Sequence, residues 1–132
     1  MYPFRSEFGP EEFRRMVYQY KPRVQLDDVF GAFDCPDAGQ ITPKRNRSTT
    51  PLQAFNLLNS PFALQTAAAF ASRLEREAGT DPEAQVRWAF ELALGRPPEP
   101  VELGAAAKVV RENGLPVLCR TVFNLNEFIH VP

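Results

Sequence analysis

The stretch of sequence that decides the fold is residues 61–95, PFALQTAAAFASRLEREAGTDPEAQVRWAFELALG. After Pro61, apolar and alanine side chains recur every three or four positions, which is the spacing of one face of an α-helix. The residues on this predicted face are Phe62, Ala67, Phe70, Ala71 and Leu74. Gly79 ends the helix, because glycine readily adopts the left-handed conformation that closes a helix.

A second helix follows directly in the same stretch. Asp81 and Pro82 are typical of a helix start, since aspartate accepts hydrogen bonds from the first free N–H groups and proline suits the first helical position. The residues predicted to be buried are Val86, Ala89, Phe90 and Ala93. Gly95 then ends this helix, so one stretch predicts two consecutive helices with a short connection.

Further helices are predicted on both sides of this stretch, and strand patterns are nearly absent. The predicted segments are 10–20, 50–59, 98–113 and 115–128, and the residues of 25–33 are compatible with a short helix that Gly31 interrupts. In the segment at 50–59, Leu52, Phe55 and Leu58 share one stripe. Short connections between the later helices favour antiparallel packing. The sequence therefore predicts an all-α fold of five to six short helices in a compact antiparallel bundle, with one long ordered loop at about 34–49.

Length and composition limit the class of protein. The chain has 132 residues, 44% of them hydrophobic, and a net charge of −1. These figures suit a single helical domain over 1–132, in which 1–9 form an irregular arm. The balanced charge argues against a nucleic-acid partner, and the apolar runs are too short for a membrane span. The first residues hold no apolar core of a signal peptide, so none is predicted in this chain.

A basic loop that leads into the helix at Pro51 is the first candidate site. A helix start presents free N–H groups and a partial positive charge, which favour an anion. The candidate anion-binding residues are Arg45, Arg47, Ser48, Thr49 and Thr50. The simpler interpretation is structural: Thr50 or Thr49 caps the helix, and the arginines pair with Asp34 and Asp37.

A second group of polar side chains is predicted to pin the loop or to bind a metal. Its members are Asp34, Asp37, Asn124, Asn126 and Glu127. Their oxygen atoms suit Ca²⁺, but nothing in their spacing requires a cation, so no metal and no cofactor is predicted. One histidine makes a zinc site formed by this chain improbable, and two separate reduced thiols at Cys35 and Cys119 are favoured over a disulfide. The pattern identifies no catalytic residue.

Aromatic side chains are frequent near the beginning of the chain, where they alternate with basic residues. They are Tyr2, Phe4, Phe8, Phe13, Tyr18 and Tyr20. We interpret this segment as an apolar surface that contacts another part of a longer protein or promotes self-association, in preference to a nucleic-acid platform.

Five stretches of the chain match a family pattern in the same order. They are FRRMVYQYKPR (13–23), FGAFDCPD (30–37), RNRSTTPLQAFNLLNS (45–60), ALGRPPEPVEL (93–103) and LCRTVFNLNEF (118–128). Together they resemble the C-terminal part of the planctomycete cytochrome c-associated domain of unknown function. The stretch at 45–60 is the most specific of the five.

The resemblance implies a setting rather than an activity. Proteins of this kind are large and secreted, and they often carry a cytochrome c module. The chain is accordingly expected to be the C-terminal portion of a longer extracytoplasmic protein, with upstream domains and a cytochrome c module as partners. The favoured hypothesis is a structural or interaction module that is not an enzyme by itself. The alternatives are part of a secreted carbohydrate-processing or redox enzyme whose site includes 34–50, and an anion- or glycan-binding module at Thr50 and Pro51.

Overall fold

The computed structural model describes residues 50–129, together with Gly9, Tyr18, Asp34, Ile41, Pro43 and Lys44. These described residues form six α-helices and no strand, which confirms the predicted all-α class. The helices are α1 (Pro51–Asn59), α2 (Pro61–Ala78), α3 (Pro82–Leu94), α4 (Pro100–Asn113), α5 (Leu115–Val122) and α6 (Asn126–Ile129).

The chain divides into two compact units, Met1–Phe62 and Ala63–Pro132. The single helical domain over 1–132 stays a prediction. Several predicted segments fall outside the described residues: the helices at 10–20 and 25–33, the arm at 1–9 and most of the loop at 34–49. Of these segments, the structure describes only single residues, such as the exposed Tyr18.

The second unit has one apolar core, to which α2, α3, α4 and α5 all contribute. α3 packs on α4 and α5, α4 packs on α5, and α6 lies against α3. The core side chains are Ala67, Ala71, Leu74, Val86, Ala89, Phe90, Ala106, Ala107, Leu115, Leu118, Cys119 and Val122. Two further residues of the predicted buried faces, Phe70 and Ala93, pack against the edge of this core. The helical spacing of apolar residues therefore predicts most of the core.

The corner between α2 and α3 is held by local hydrogen bonds. Asp81 accepts from the backbone N–H groups of Glu83 and Ala84, at 3.4 and 3.2 Å, so it is the predicted N-cap. Gln85 is buried, and its side-chain amide donates to the carbonyl of Gly79 at 2.6 Å. Both contacts satisfy backbone groups that a helix end leaves without an intrahelical partner.

We expect Asp81→Ala to lower the free energy of unfolding by about 1 kcal/mol, because it leaves two N–H groups of α3 without their cap. Urea denaturation followed by circular dichroism measures this loss. Asp81→Asn is the matched control, since asparagine caps nearly as well as aspartate. Equal losses in the two variants would show that the carboxylate charge, and not the cap, stabilises the corner.

The start of α4 differs from the predicted start by two residues, because the helix begins at Pro100 and not at Pro98. Glu99 lies between them in an extended conformation, with φ −68° and ψ 158°. The residue before a proline is disfavoured in the helical conformation because its backbone clashes with the proline ring. Pro100 therefore prevents Glu99 from joining the helix, and Glu99 becomes its N-cap.

The helix predicted over 115–128 is also corrected, because the structure breaks it into α5 and α6. After Val122, the N–H groups of Asn124 and Leu125 bond to carbonyls three residues back, at 3.0 and 3.1 Å. The side-chain amide of Asn124 donates to the carbonyl of Arg120 at 2.9 Å. This side-chain bond competes with helix continuation, as asparagine commonly does.

Candidate functional site

The start of α1, where an anion site is predicted, is closed by a capping box. The Thr50 hydroxyl accepts from the N–H of Gln53 at 3.3 Å, and the Gln53 side-chain oxygen accepts from the N–H of Thr50 at 3.1 Å. Thr50 is therefore the N-cap that the simpler interpretation expects. The reciprocal bonds use the backbone N–H groups of Thr50 and Gln53, which are therefore not free to bind an anion.

The remaining anion-binding candidates lie outside the described residues. These are Arg45, Arg47, Ser48 and Thr49, and Asp37, one of the predicted partners of the arginines, lies outside as well. Lys44, next to them in sequence, is exposed. The anion site at the start of α1 thus stays a prediction.

Four of the five predicted loop-pinning or metal-binding residues are described, one in the first unit and three in the second, and Asp37 lies outside the described residues. Asp34 is half-buried in a turn of the first unit, with a φ of +55° that aspartate tolerates better than most residues. Asn124 caps the end of α5, and Asn126 is the exposed first residue of α6. Among the described residues, no group of three or more His, Cys, Asp or Glu side chains is placed to hold a metal ion. The role assigned to these residues from sequence stays a prediction.

Glu127, the last of that group, takes part in a cluster centred on Arg96. Arg96 donates two hydrogen bonds to Glu127, at 2.7 and 2.8 Å, and two to Glu102, at 2.8 and 2.9 Å. Its fifth N–H donates to the carbonyl of Pro97 at 3.2 Å. The guanidinium also lies 5.6 Å from the centre of the Phe90 ring. All five donors of the guanidinium are used, so it is held in one orientation.

The two carboxylates of this cluster have lowered pKa values. Hydrogen bonds from Arg96 are the main cause for both, and the pKa of Glu102 falls from 4.5 to about 2. The backbone N–H of Glu99 also donates to Glu102, at 2.7 Å. Because the folded pKa lies below the unfolded one, the pairs stabilise the fold fully above pH 4.5. That contribution is lost as the pH falls towards 2.

Sequence reasoning did not identify Arg96 as the centre of a cluster. A local signal existed for Glu102, since it lies three residues after the N-cap Glu99, at the position where a carboxylate completes a capping box. No signal could pair Arg96 with Glu127, which lies 31 positions further along the chain. That pairing depends on how α6 returns to α3.

A smaller polar contact joins α2 to α3. The indole N–H of Trp88 donates to Glu77 at 2.8 Å, and Arg73 donates to the same carboxylate at 2.9 Å. These two bonds, the indole first, lower the pKa of Glu77. The contact fixes the orientation of a tryptophan that remains partly exposed.

The surface of α1 carries large apolar side chains. Leu52 is 60% exposed and Phe55 is 64% exposed, and the neighbouring Leu58 is 38% exposed. α1 contains no charged residue and buries none of its side chains. The apolar stripe predicted from sequence is therefore present, and its side chains are exposed.

The thiol of Cys119 is free and completely buried in the core. Burial raises its pKa to about 12, because the thiolate would lose its hydration. Cys35 lies outside the described residues, so the interpretation of two separate reduced thiols stays a prediction.

Comparison with known protein families identifies the family of this chain. Residues 3–110 match PSD1, described as "Protein of unknown function (DUF1553)". The chain belongs to this family. PSD1 is the planctomycete cytochrome c-associated domain of unknown function that the sequence motifs resemble. No curated protein and no solved structure matches the chain.

The residues that match PSD1 include only part of the cluster centred on Arg96. The match includes Arg96 and Glu102 and ends at residue 110, inside α4. Glu127 and the motif at 118–128 lie beyond the matched residues. Among the helices that the structure describes in this PSD1 chain, none has both the length and the apolar character needed to cross a bilayer.

Proposed function

We propose that this chain is a helical interaction module of a larger extracytoplasmic protein, and that α1 is the element through which it contacts a neighbouring domain of that protein. The observation that carries the proposal is the apolar stripe of α1, formed by Leu52, Phe55 and Leu58. Contiguous exposed apolar side chains on a helix commonly mark a protein–protein contact.

The energetics of α1 support a partner. A helix of nine residues is marginal in water, and most helical stability in proteins comes from packing an apolar face. Full burial of one leucine or phenylalanine side chain is favourable by roughly 1.5–3 kcal/mol. Because the Leu52 and Phe55 side chains are mainly exposed, most of this burial free energy can still be gained by a contact outside the described residues.

The chemistry of α1 limits what can cover it. The helix has neither a carboxylate nor a basic side chain, so a charged counter-surface would lose hydration without gaining an ion pair. An apolar groove in an adjacent domain of the same protein fits this face. The family's association with cytochrome c modules in large secreted proteins supplies the setting, as the sequence resemblance implies.

The test is a double variant, Leu52→Gln with Phe55→Gln. We expect the thermal midpoint of the chain alone to change little, because both side chains are mainly exposed. Affinity for the preceding region of the longer protein, produced separately and titrated calorimetrically, should fall by roughly 100-fold, since two apolar anchors are lost.

Leu64→Gln is the matched control, because Leu64 is also exposed, at 44%, but lies on α2. It should leave the affinity unchanged. Two results would overturn the proposal: unchanged affinity in the double variant, or a large fall in its thermal midpoint, which would place the stripe inside the folded chain. If the unmodified chain forms a concentration-dependent dimer in sedimentation and the double variant does not, the stripe binds a second copy of the chain. That result would also overturn the proposal.

A further inference from the structure

The contact between Glu127 and Arg96 connects a very short helix to the segment between α3 and α4. α6 has four residues, and none of them is buried. A single helical turn is unstable in water, because its nucleation orders several residues for each hydrogen bond gained. The position of α6 therefore depends on the side chains that it contacts.

Two side-chain contacts hold α6 within the part of the chain that the structure describes. Glu127 accepts two hydrogen bonds from Arg96. Phe128 packs on the ring of Phe123, with 5.1 Å between the ring centres. The N–H groups of Phe128 and Ile129 bond to the carbonyl of Leu125, at 3.0 and 3.2 Å, so these bonds are local to the helix.

The two sides of the ion pair differ in how firmly they are held. Three of the five Arg96 donors bond to Glu102 and Pro97, and the guanidinium also lies over Phe90. Arg96 thus keeps its orientation when Glu127 leaves. Glu127, in contrast, is carried by a helix that has no other ion pair among the described residues.

The two rings of the contact between Phe123 and Phe128 also differ in how firmly they are held. The ring of Phe123 contacts the ring of Phe70 on α2 as well as that of Phe128, with 5.7 Å between the centres of the Phe123 and Phe70 rings. If α6 moved away, Phe123 would keep its contact with Phe70 and lose the one with Phe128. The end of α5 would not move with α6, because the Asn124 side chain is bonded to Arg120.

We propose that α6 is a hinged strap with the Glu127–Arg96 ion pair as its latch. When the strap detaches at Leu125, its single turn unwinds, so the N–H groups of Phe128 and Ile129 lose their bonds to Leu125 together until it recloses. Its opening uncovers the ring of Phe123. The firmly held Arg96 offers the same bidentate partner each time the strap recloses, which makes the opening reversible. Local opening of this kind needs much less free energy than unfolding of the whole unit.

Amide hydrogen exchange resolved by NMR tests the strap in the intact chain. In Glu127→Gln, which keeps the shape of the side chain and removes its charge, we expect the amides of Phe128 and Ile129 to exchange about fivefold faster, both by the same factor. Phe128→Ala should accelerate the Ile129 amide comparably, since it removes the second contact. Amides of the core, such as that of Leu74, should keep their rates.

Glu112→Gln is the control, because it breaks an exposed ion pair with Lys108 on α4 and touches neither contact of the strap. It should leave both α6 amides unchanged. The proposal is overturned if Glu127→Gln has no effect on the α6 amides. It is overturned equally if only one of the two accelerates, which indicates fraying, or if the amide of Val122 accelerates by the same factor, which indicates that α5 and α6 open together.

Discussion

Replacing Leu74 with alanine is expected to lower the free energy of unfolding by about 3 kcal/mol, which would be a large share of the stability of a small helical unit. Leu74 is 0% exposed and lies in the core to which four helices contribute. The variant loses the hydrophobic transfer energy of the deleted methyl groups and leaves a cavity that its neighbours fill only in part. Urea denaturation followed by circular dichroism measures the change.

Leu64→Ala is the matched control for this prediction. It makes the same chemical change on the same helix, but the Leu64 side chain is 44% exposed. We expect a loss of less than about 1 kcal/mol, because less apolar surface returns to water and no closed cavity forms. Similar losses in the two variants would contradict the burial pattern of α2.

The second large effect concerns the reactivity of the Cys119 thiol. Burial raises its pKa from 9.0 to about 12, so the reactive thiolate is roughly 1,000-fold rarer at neutral pH than for an exposed cysteine. We expect labelling of native Cys119 by a thiol-specific reagent to be slower by at least this factor. Cys35→Ser removes the other thiol, so that the measured rate belongs to Cys119 alone.

The unfolded Cys35→Ser variant provides the reference for this rate. In denaturant, Cys119 should react at the speed of a small-molecule thiol, because neither burial nor a shifted pKa protects it. Rapid labelling without denaturant would contradict the prediction and would place Cys119 at a surface or in a frequently opened region. Absence of a free thiol in the unmodified chain would contradict the separate thiols and indicate a disulfide.

Helix boundaries that depend on residues close together in the sequence could be predicted from the sequence. Asp81 with Pro82 begins α3, and Gly95 ends it with a φ of +69°, which glycine adopts without strain. The spacing of Ala67, Ala71 and Leu74 predicts the buried face of α2. Each of these signals acts over one or two turns, so the information needed lies within a short stretch of chain.

Other features could not be read from short stretches. Asn124 carries no unambiguous stop signal, and its bond to Arg120 becomes apparent only where the helix actually breaks. The stripe of Leu52, Phe55 and Leu58 predicts an apolar face without indicating what covers it. For the candidate anion site, the sequence limits the N-cap to Thr50 or Thr49, and the structure shows that it is Thr50. The sequence does not place the loop before it, because that segment has no periodic pattern.

The sequence by itself determines that the described part of the chain is helical, where most of the helices in that part begin and end, and to which family the chain belongs. Prolines, capping residues and glycines act locally, through backbone conformation and the hydrogen bonds of helix ends. Only the tertiary structure decides that Arg96 holds Glu102 and Glu127 together and that Cys119 is buried. Arg96 and Glu127 are brought together by packing of the helices between them, and no property of either residue encodes that distance.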